Sequence, residues 1–213
     1  MRIIAGELRG RRLLPIASAM PVRPTADRAR EAIFSILGQR VRSARVLDLF
    51  AGTGAMGIEA LSRGAAFCLF VDRSRDCAAY ICKNLERFGL REKSAVCAHD
   101  AARGMGFLAR SVPEPGKEVP RRKPTANVCP LAPSAAGPLP GFDLVFADPP
   151  YDTDVLSGVL ASLAEPGVLN PDALICCEHP CGKHPAAPGL FLADSRRYGK
   201  ACFSFFSKEE EGK

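Results

Sequence analysis

The sequence predicts an α/β fold: a mostly parallel sheet with helices on both faces, a C-terminal antiparallel hairpin, and a small basic arm in front. Three observations carry this. From Arg45 onward, short apolar runs alternate with helical patterns, the order that builds a parallel sheet. The stretch Val46–Gly57 (Val-Leu-Asp-Leu-Phe-Ala-Gly-Thr-Gly-Ala-Met-Gly) runs an apolar strand into an acid, a glycine-rich turn and a helix start. Finally, four apolar runs in succession close on aspartates: Asp48, Asp72, Asp100 and Asp148.

Taken in order, Arg2 to Leu14 alternates short β-compatible pieces with Gly6 and Gly10, which reads as a small hairpin or extended arm. Thr25 is placed as an N-cap after Pro24, with Asp27 suited to the first helical turn. Ala29, Ala32, Ile33, Ile36 and Leu37 then mark the apolar stripe of an amphipathic helix, with Arg28, Glu31 and Ser35 off it. Strands are expected near 45–49, 66–72, 94–98, 142–147 and 172–178, and helices near 54–63, 74–88, 101–109 and 153–164. Leu190–Arg197 and Lys200–Phe206, joined around Tyr198 and Gly199, read as the closing hairpin. Ser111–Gly141 holds eight prolines and the basic patch Arg121-Arg122-Lys123, so it reads as a surface insertion of disordered composition. The organisation is thus an arm and helix over 1–42, a Rossmann-like domain over 43–207 carrying the 111–141 insertion, and a charged tail over 208–213.

With 213 residues, 47% of them hydrophobic and 24% charged, the chain fits one ordinary globular core and not a disordered protein. No apolar run reaches membrane-spanning length and the N-terminus lacks a signal-peptide core, so a cytoplasmic protein without membrane contact is expected. Nine cysteines in such a chain read mainly as core thiols, Cys68, Cys97, Cys176, Cys177 and Cys202 among them. The cluster Cys176, Cys177, His179, Cys181 and His184 has no C-x-x-C pair, and no metal is expected. The net charge of +6 is uneven: the first 45 residues hold ten arginines against Glu7, Asp27 and Glu31. A basic segment before a near-neutral core points to a polyanionic substrate.

In an open parallel sheet, ligands sit beyond the carboxyl ends of the strands near the reversal in strand order, where the four aspartates should converge. Gly52, Gly54 and Gly57 satisfy G-x-G-x-x-G, and Asp72 lies where a dinucleotide enzyme keeps its ribose-binding acid. Against a dehydrogenase stand Asp48, which would repel a pyrophosphate yet welcome a cationic ligand, and Asp148-Pro149-Pro150-Tyr151 after a later strand.

These residues resemble the class I S-adenosylmethionine (SAM) methyltransferases that modify exocyclic amines. Arg2-Ile3-Ile4-Ala5-Gly6, Arg9-Gly10, Arg23-Pro24-Thr25 with Arg28, Asp48 to Gly54 and Asp148 to Tyr151 are together similar to the bacterial RsmD family. That resemblance implies transfer of a methyl group from SAM to N2 of a guanine in 16S ribosomal RNA, on the small subunit; a monomer is expected. It implies that Gly52 and Gly54 let the methionine part of SAM lie against the backbone and that Asp48 meets its amino group directly or through water. By the same resemblance Asp72 holds the ribose, and Asp100 with the Ala101 backbone meets the adenine edge. Asp148 and the Pro149 carbonyl orient the amine, Tyr151 stacks on the extruded base, and Arg2, Arg9, Arg11, Arg12, Arg23 and Arg28 hold RNA phosphates. The insertion departs from the family pattern. An adenine-N6 methyltransferase shares every cofactor residue, and a non-catalytic RNA-binding assembly factor could share the fold.

Overall fold

The computed structural model describes residues 1–15, 27–106, 108, 141–149, 153–199 and 201–208. The expected cap Thr25, Arg23, Tyr151, nearly all of the insertion and the tail beyond residue 208 lie outside them.

Seven strands form one sheet: β1 (Arg45–Leu49), β2 (Phe67–Asp72), β3 (Ser94–Ala98), β4 (Phe142–Ala147), β5 (Leu169–Pro180), β6 (Phe191–Tyr198) and β7 (Ala201–Ser207). Their order is β3-β2-β1-β4-β5-β7-β6, parallel from β3 to β5, with β7 antiparallel between β5 and β6. The hairpin turns at Gly199, whose φ of +65° suits glycine. Four helices are described: α1 (Asp27–Leu37), α2 (Ala55–Ser62), α3 (Arg75–Arg87) and α4 (Thr153–Leu163). Two apolar layers sandwich the sheet. One holds Ile33, Phe34, Ile58, Ile81, Phe146 and Cys176; the other holds Leu47, Val145, Leu156, Leu160 and Ile175. Alternation along each strand sends neighbours to opposite layers. No helix among the described residues is long and apolar enough to cross a membrane.

Three expectations need correction. The buried stripe of α1 is Ala29, Arg30, Ile33, Phe34 and Leu37, while Ile36 is exposed. The helix is rolled because Phe34 packs on Phe146, with ring centroids 5.5 Å apart, and because Arg30 is drawn inward by Asp27 and Glu59. After β3, the expected helix over 101–109 opens instead as a 3-10 turn, Ala101–Arg103, stopped by Gly104 at φ +85°. Cys202 is not a free core thiol, since it forms a disulfide with Cys181 that joins the end of β5 to the start of β7.

The arm folds back on itself by Ile3 N–H to Arg11 O, Gly10 N–H to Ile3 O, Leu13 N–H to Met1 O and the antiparallel bridge Arg2–Arg12. It then docks along α2 and α3 through polar side chains. Glu59 accepts from the N–H groups of Ile4 (2.8 Å) and Ala5 (3.0 Å). The Ser62 hydroxyl accepts from Leu8 N–H and donates to Ala5 O. Leu14 is held at both ends of its peptide unit, by Asn84 Oδ1 and by the Tyr80 hydroxyl. Gly6 lies so close that a Cβ there would stand 1.8 Å from Ser62 O. Glu59 also faces Arg63 at 2.8 Å and Arg30 at 3.8 Å, so a buried acid gathers two cations and two backbone donors.

Candidate active site at the carboxyl edge of the sheet

Strand order reverses between β1 and β4, since β2 and β3 extend one way and β5 and β7 the other. The turn after β1 and the turn after β4 therefore stand side by side, and a crevice opens between them.

The first turn is shaped by its glycines and by one strained residue. Phe50 adopts φ +56°, Gly52 +52° and Gly54 +71°, the last being the residue that opens α2. A left-handed Phe is costly, and such strain concentrates at ligand sites. Gly57 serves packing: a Cβ there would meet the Phe70 ring at 2.3 Å and Cys68 Sγ at 2.5 Å.

Two of the strand-end acids hold this turn in place. Asp48 is 3% exposed and accepts from Gly57 N–H at 2.9 Å through Oδ2. Asp72 accepts from Gly52 N–H through Oδ2 and from Ser74 N–H through Oδ1, both at 2.8 Å. A carboxylate has about four acceptor sites and a protonated carboxyl keeps acceptors beside its O–H, so both acids retain capacity for a ligand. Burial pushes the Asp48 carboxyl up to about 8; the Gly57 hydrogen bond opposes this, and the charges of Asp72 and Asp148 add to it. Register agrees: Phe70 and Phe146 flank Asp48 on the adjacent strands, and Asp72 and Asp148 follow two residues beyond them at the same edge.

Asp100 stands on the same edge at β3, two strands from β1, or roughly 10 Å. Its Oδ1 accepts from Ala102 N–H at 3.2 Å and its Oδ2 lies 3.9 Å from Arg103, so it caps the turn while its neighbour Ala101 is buried. On the other side, Asp148 is exposed just past β4 and Pro149 is buried.

The arginines divide into two groups. Met1 reaches the glycine-rich turn, where Thr53 Oγ1 donates to its sulfur at 3.6 Å, which brings the open end of the arm, with Arg2 and Arg12, to the crevice side. Arg28 is exposed at the start of α1. The arm's tip instead lies by Ser62, at the far end of α2, about 10 Å of helix rise from Ala55. Arg9 is at that tip, and Arg11 stacks over Phe88, just past α3, at 5.3 Å. Two further arginines of the basic segment serve the core: Arg30 is 1% exposed, and Arg45 lies over the rings of Phe67 and Phe142.

Sequence reasoning missed Glu59, Tyr80, Asn84 and Phe50. A signal existed for Asn84, which interrupts the apolar stripe Cys77, Ala78, Ile81, Leu85 of α3, and for Glu59, set among Ile58, Ala60 and Leu61.

A mostly parallel sheet with a glycine-rich turn after β1, acids closing successive strands and an antiparallel β7 is the architecture of a class I methyltransferase. The comparisons with known proteins then narrow this. The model of the family described as "Conserved hypothetical protein 95" matches residues 1–113 and 125–207. The Ribosomal RNA small subunit methyltransferase D of Escherichia coli K12 is 31% identical over 214 residues, covering 100% of this chain and 92% of its own. YlbH of Bacillus subtilis, described as a candidate rRNA methyltransferase, is 34% identical over 84% of this chain and 82% of its own. Among solved structures, the candidate methyltransferase yhhF of Escherichia coli superposes with a TM-score of 0.75 at 28% identity over 98% of both chains. A ribosomal protein L11 methylase from Lactobacillus delbrueckii, at 16% identity and TM-score 0.62, speaks to the fold alone. The chain belongs to the RsmD family.

Proposed function

We propose that this protein is a cytoplasmic, monomeric enzyme that methylates the exocyclic N2 amine of a guanine in 16S ribosomal RNA of the small subunit, with SAM as donor. The observation that carries this is the placement of Asp148-Pro149 beside the Asp48-anchored glycine turn, at the reversal of strand order. The residues present fit SAM. Gly52 and Gly54 keep side chains off the turn, and an edge bearing Asp48, Asp72 and Asp148 suits a ligand with an ammonium and a sulfonium. Asp48 would meet the amino group, Asp72 the ribose hydroxyls, and Asp100 with the Ala101 backbone the adenine edge.

When bound, SAM supplies an electrophilic methyl group. An exocyclic amine is a weak nucleophile because its lone pair is delocalised into the ring. The Asp148 carboxylate and the Pro149 carbonyl accept its N–H bonds, turn the lone pair toward the methyl carbon and offset the positive charge that develops on nitrogen. Tyr151 supplies a stacking face for the extruded base. Arg2, Arg12 and Arg28 hold phosphates near the crevice, with Arg9 and Arg11 further along the arm; Arg23, outside the described residues, is assigned the same role.

The test is incubation with labelled SAM and small subunits from cells lacking the enzyme, followed by nucleoside mass spectrometry. N2-methylguanosine is expected. N6-methyladenosine would keep the mechanism and overturn the base assignment. SAM binding without any methylated nucleoside would favour the non-catalytic assembly factor.

A further inference from the structure

The role proposed for Asp148 and Pro149 orients an amine without saying which base carries it, because adenine N6 and guanine N2 are both exocyclic amines beside a ring nitrogen. The bases differ at that ring nitrogen. Guanine N1 bears a hydrogen and donates, whereas adenine N1 is a bare acceptor. A site selecting guanine needs a second acceptor beside the one that holds the amine.

The neighbouring strand supplies one. The parallel register of β4 and β5 runs through Phe146↔Cys176 and Ala147↔Cys177, so the next pair at the carboxyl edge is Asp148 and Glu178. Alternation puts Glu178 on the face of Cys176, the layer that also holds Phe146 and residues of α1, and Asp148 follows directly after β4. Both carboxylates also help to raise the pKa of the Cys176 thiol, behind burial and Cys177, which fits their standing near the same sulfur. Across β5 on its other side, Glu178 is paired with Phe203, which is buried and meets the Tyr198 ring edge-on at 5.8 Å. Glu178 itself is half-buried, one residue beyond the last pair of β4 and β5.

We propose that Glu178 is a specificity-determining residue for the base: its carboxylate accepts N1–H of guanine while Asp148 accepts from the N2 amine. Adenine in the same place would turn its N1 lone pair toward the Glu178 carboxylate, an acceptor against an acceptor in a partly desolvated site. This rests on the guanine reading above and supplies the discrimination that Asp148-Pro149-Pro150-Tyr151 lacks.

The test uses the full chain and small subunits reconstituted with 16S RNA that carries either guanine or 2,6-diaminopurine at the mapped target position. Diaminopurine keeps the N2 amine but has an unprotonated N1, so the wild type should methylate guanine in strong preference. Glu178→Gln can donate its amide N–H to such an N1. It should slow methylation of guanine on the order of tenfold or more and shrink the guanine-to-diaminopurine ratio of kcat/KM by a similar factor. Glu178→Ala should lose rate on guanine without gaining diaminopurine. Melting temperature and SAM affinity, measured on each variant, should match the wild type. A structural role would lower both substrates together, and an unchanged ratio in Glu178→Gln overturns this inference alone. Absence of N2-methylguanosine with the wild type overturns the guanine reading and this inference with it.

Discussion

The crevice and the N-terminal arm are built with one device. In the crevice, Asp48 and Asp72 collect the N–H groups of Gly57, Gly52 and Ser74, and thereby hold a turn. On the arm side, Glu59 collects the N–H groups of Ile4 and Ala5 and holds a segment more than 50 residues away in sequence. A carboxylate in charge-assisted bonds to backbone donors satisfies groups that would otherwise be buried at a cost. The difference lies in what else each acid faces. Asp48 faces the charges of Asp72 and Asp148, whereas Glu59 is already neutralised by Arg63 and Arg30. The first arrangement leaves capacity for a ligand; the second is complete.

The sharpest way to break this comparison is to remove one acid from each region. Asp148→Ala should reduce methyl transfer on the order of 10²–10³-fold, because the acceptor that orients the amine is lost. SAM affinity by calorimetry should stay within a small factor, and a large loss would show that Asp148 belongs to cofactor binding instead. Glu59→Ala should do the reverse. It leaves the buried Arg30 with Asp27 as its acid, takes the partner of Arg63 and leaves two backbone donors unpaired, a loss of about 3–5 kcal/mol. The melting temperature should fall by about 10 °C for a chain of this size. Amide exchange at Ile4 and Ala5 should rise toward that of a free segment, and unchanged protection there would mean that Glu59 does not hold the arm.

What the sequence disclosed follows the same division. Strands β1 to β4 were readable within a residue, because the apolar runs are short, continuous and ended by Asp or by turn residues. Asp48, Gly52, Gly54 and Asp72 could be placed on one turn because a strand, turn and helix that follow each other in sequence are a local structure. The docking of the arm could not be read, since it depends on Tyr80, Asn84, Glu59 and Ser62 meeting backbone groups far away in the chain, and backbone donors look alike in any sequence. Arg30 was hidden for a related reason: a guanidinium on a helix face reads as solvated until Asp27 and Glu59 are seen to draw it in. Of the ten N-terminal arginines, Arg30 and Arg45 spend their side chains on the core and not on a substrate.

Asp48 gives a prediction in pH. Its carboxyl is raised to about 8 by burial, so the ligand-free folded protein carries a proton there at neutral pH that an unfolded chain has released above about pH 4. The stability contributed by that proton is full below about pH 4 and is lost as pH rises through about 8. Asp48→Asn should therefore melt higher than the wild type at pH 8, with the gap narrowing toward pH 4. A cationic ligand reverses the preference. SAM affinity of the wild type should rise as pH goes from 6 to 8, by up to about tenfold per unit, and binding at pH 7 should release a proton. Calorimetry in buffers of different ionisation enthalpy measures that release, and no release would place the ligand's amino group away from Asp48.

The smallest effect separates the two groups of arginines. Arg2 and Arg12 bridge at the open end of the arm, whose Met1 meets Thr53, whereas Arg11 stacks over Phe88 past α3 and Arg9, next to the tip, lines one depression with Arg2 and Glu31. On the proposed reading, RNA held across the crevice would meet the first pair before the second. Arg2→Ala with Arg12→Ala should weaken binding to the small subunit several-fold, and the slope of log K against log salt should fall by about 0.7–0.9 for each phosphate contact removed. Arg9→Ala with Arg11→Ala should change the slope less, and the loss of the Arg11 stack on Phe88 should appear instead as a small drop in melting temperature. Equal slopes for the two double variants would mean that RNA runs the full length of the arm. A larger change at Arg9 and Arg11 would place its main track along the tip, away from the crevice.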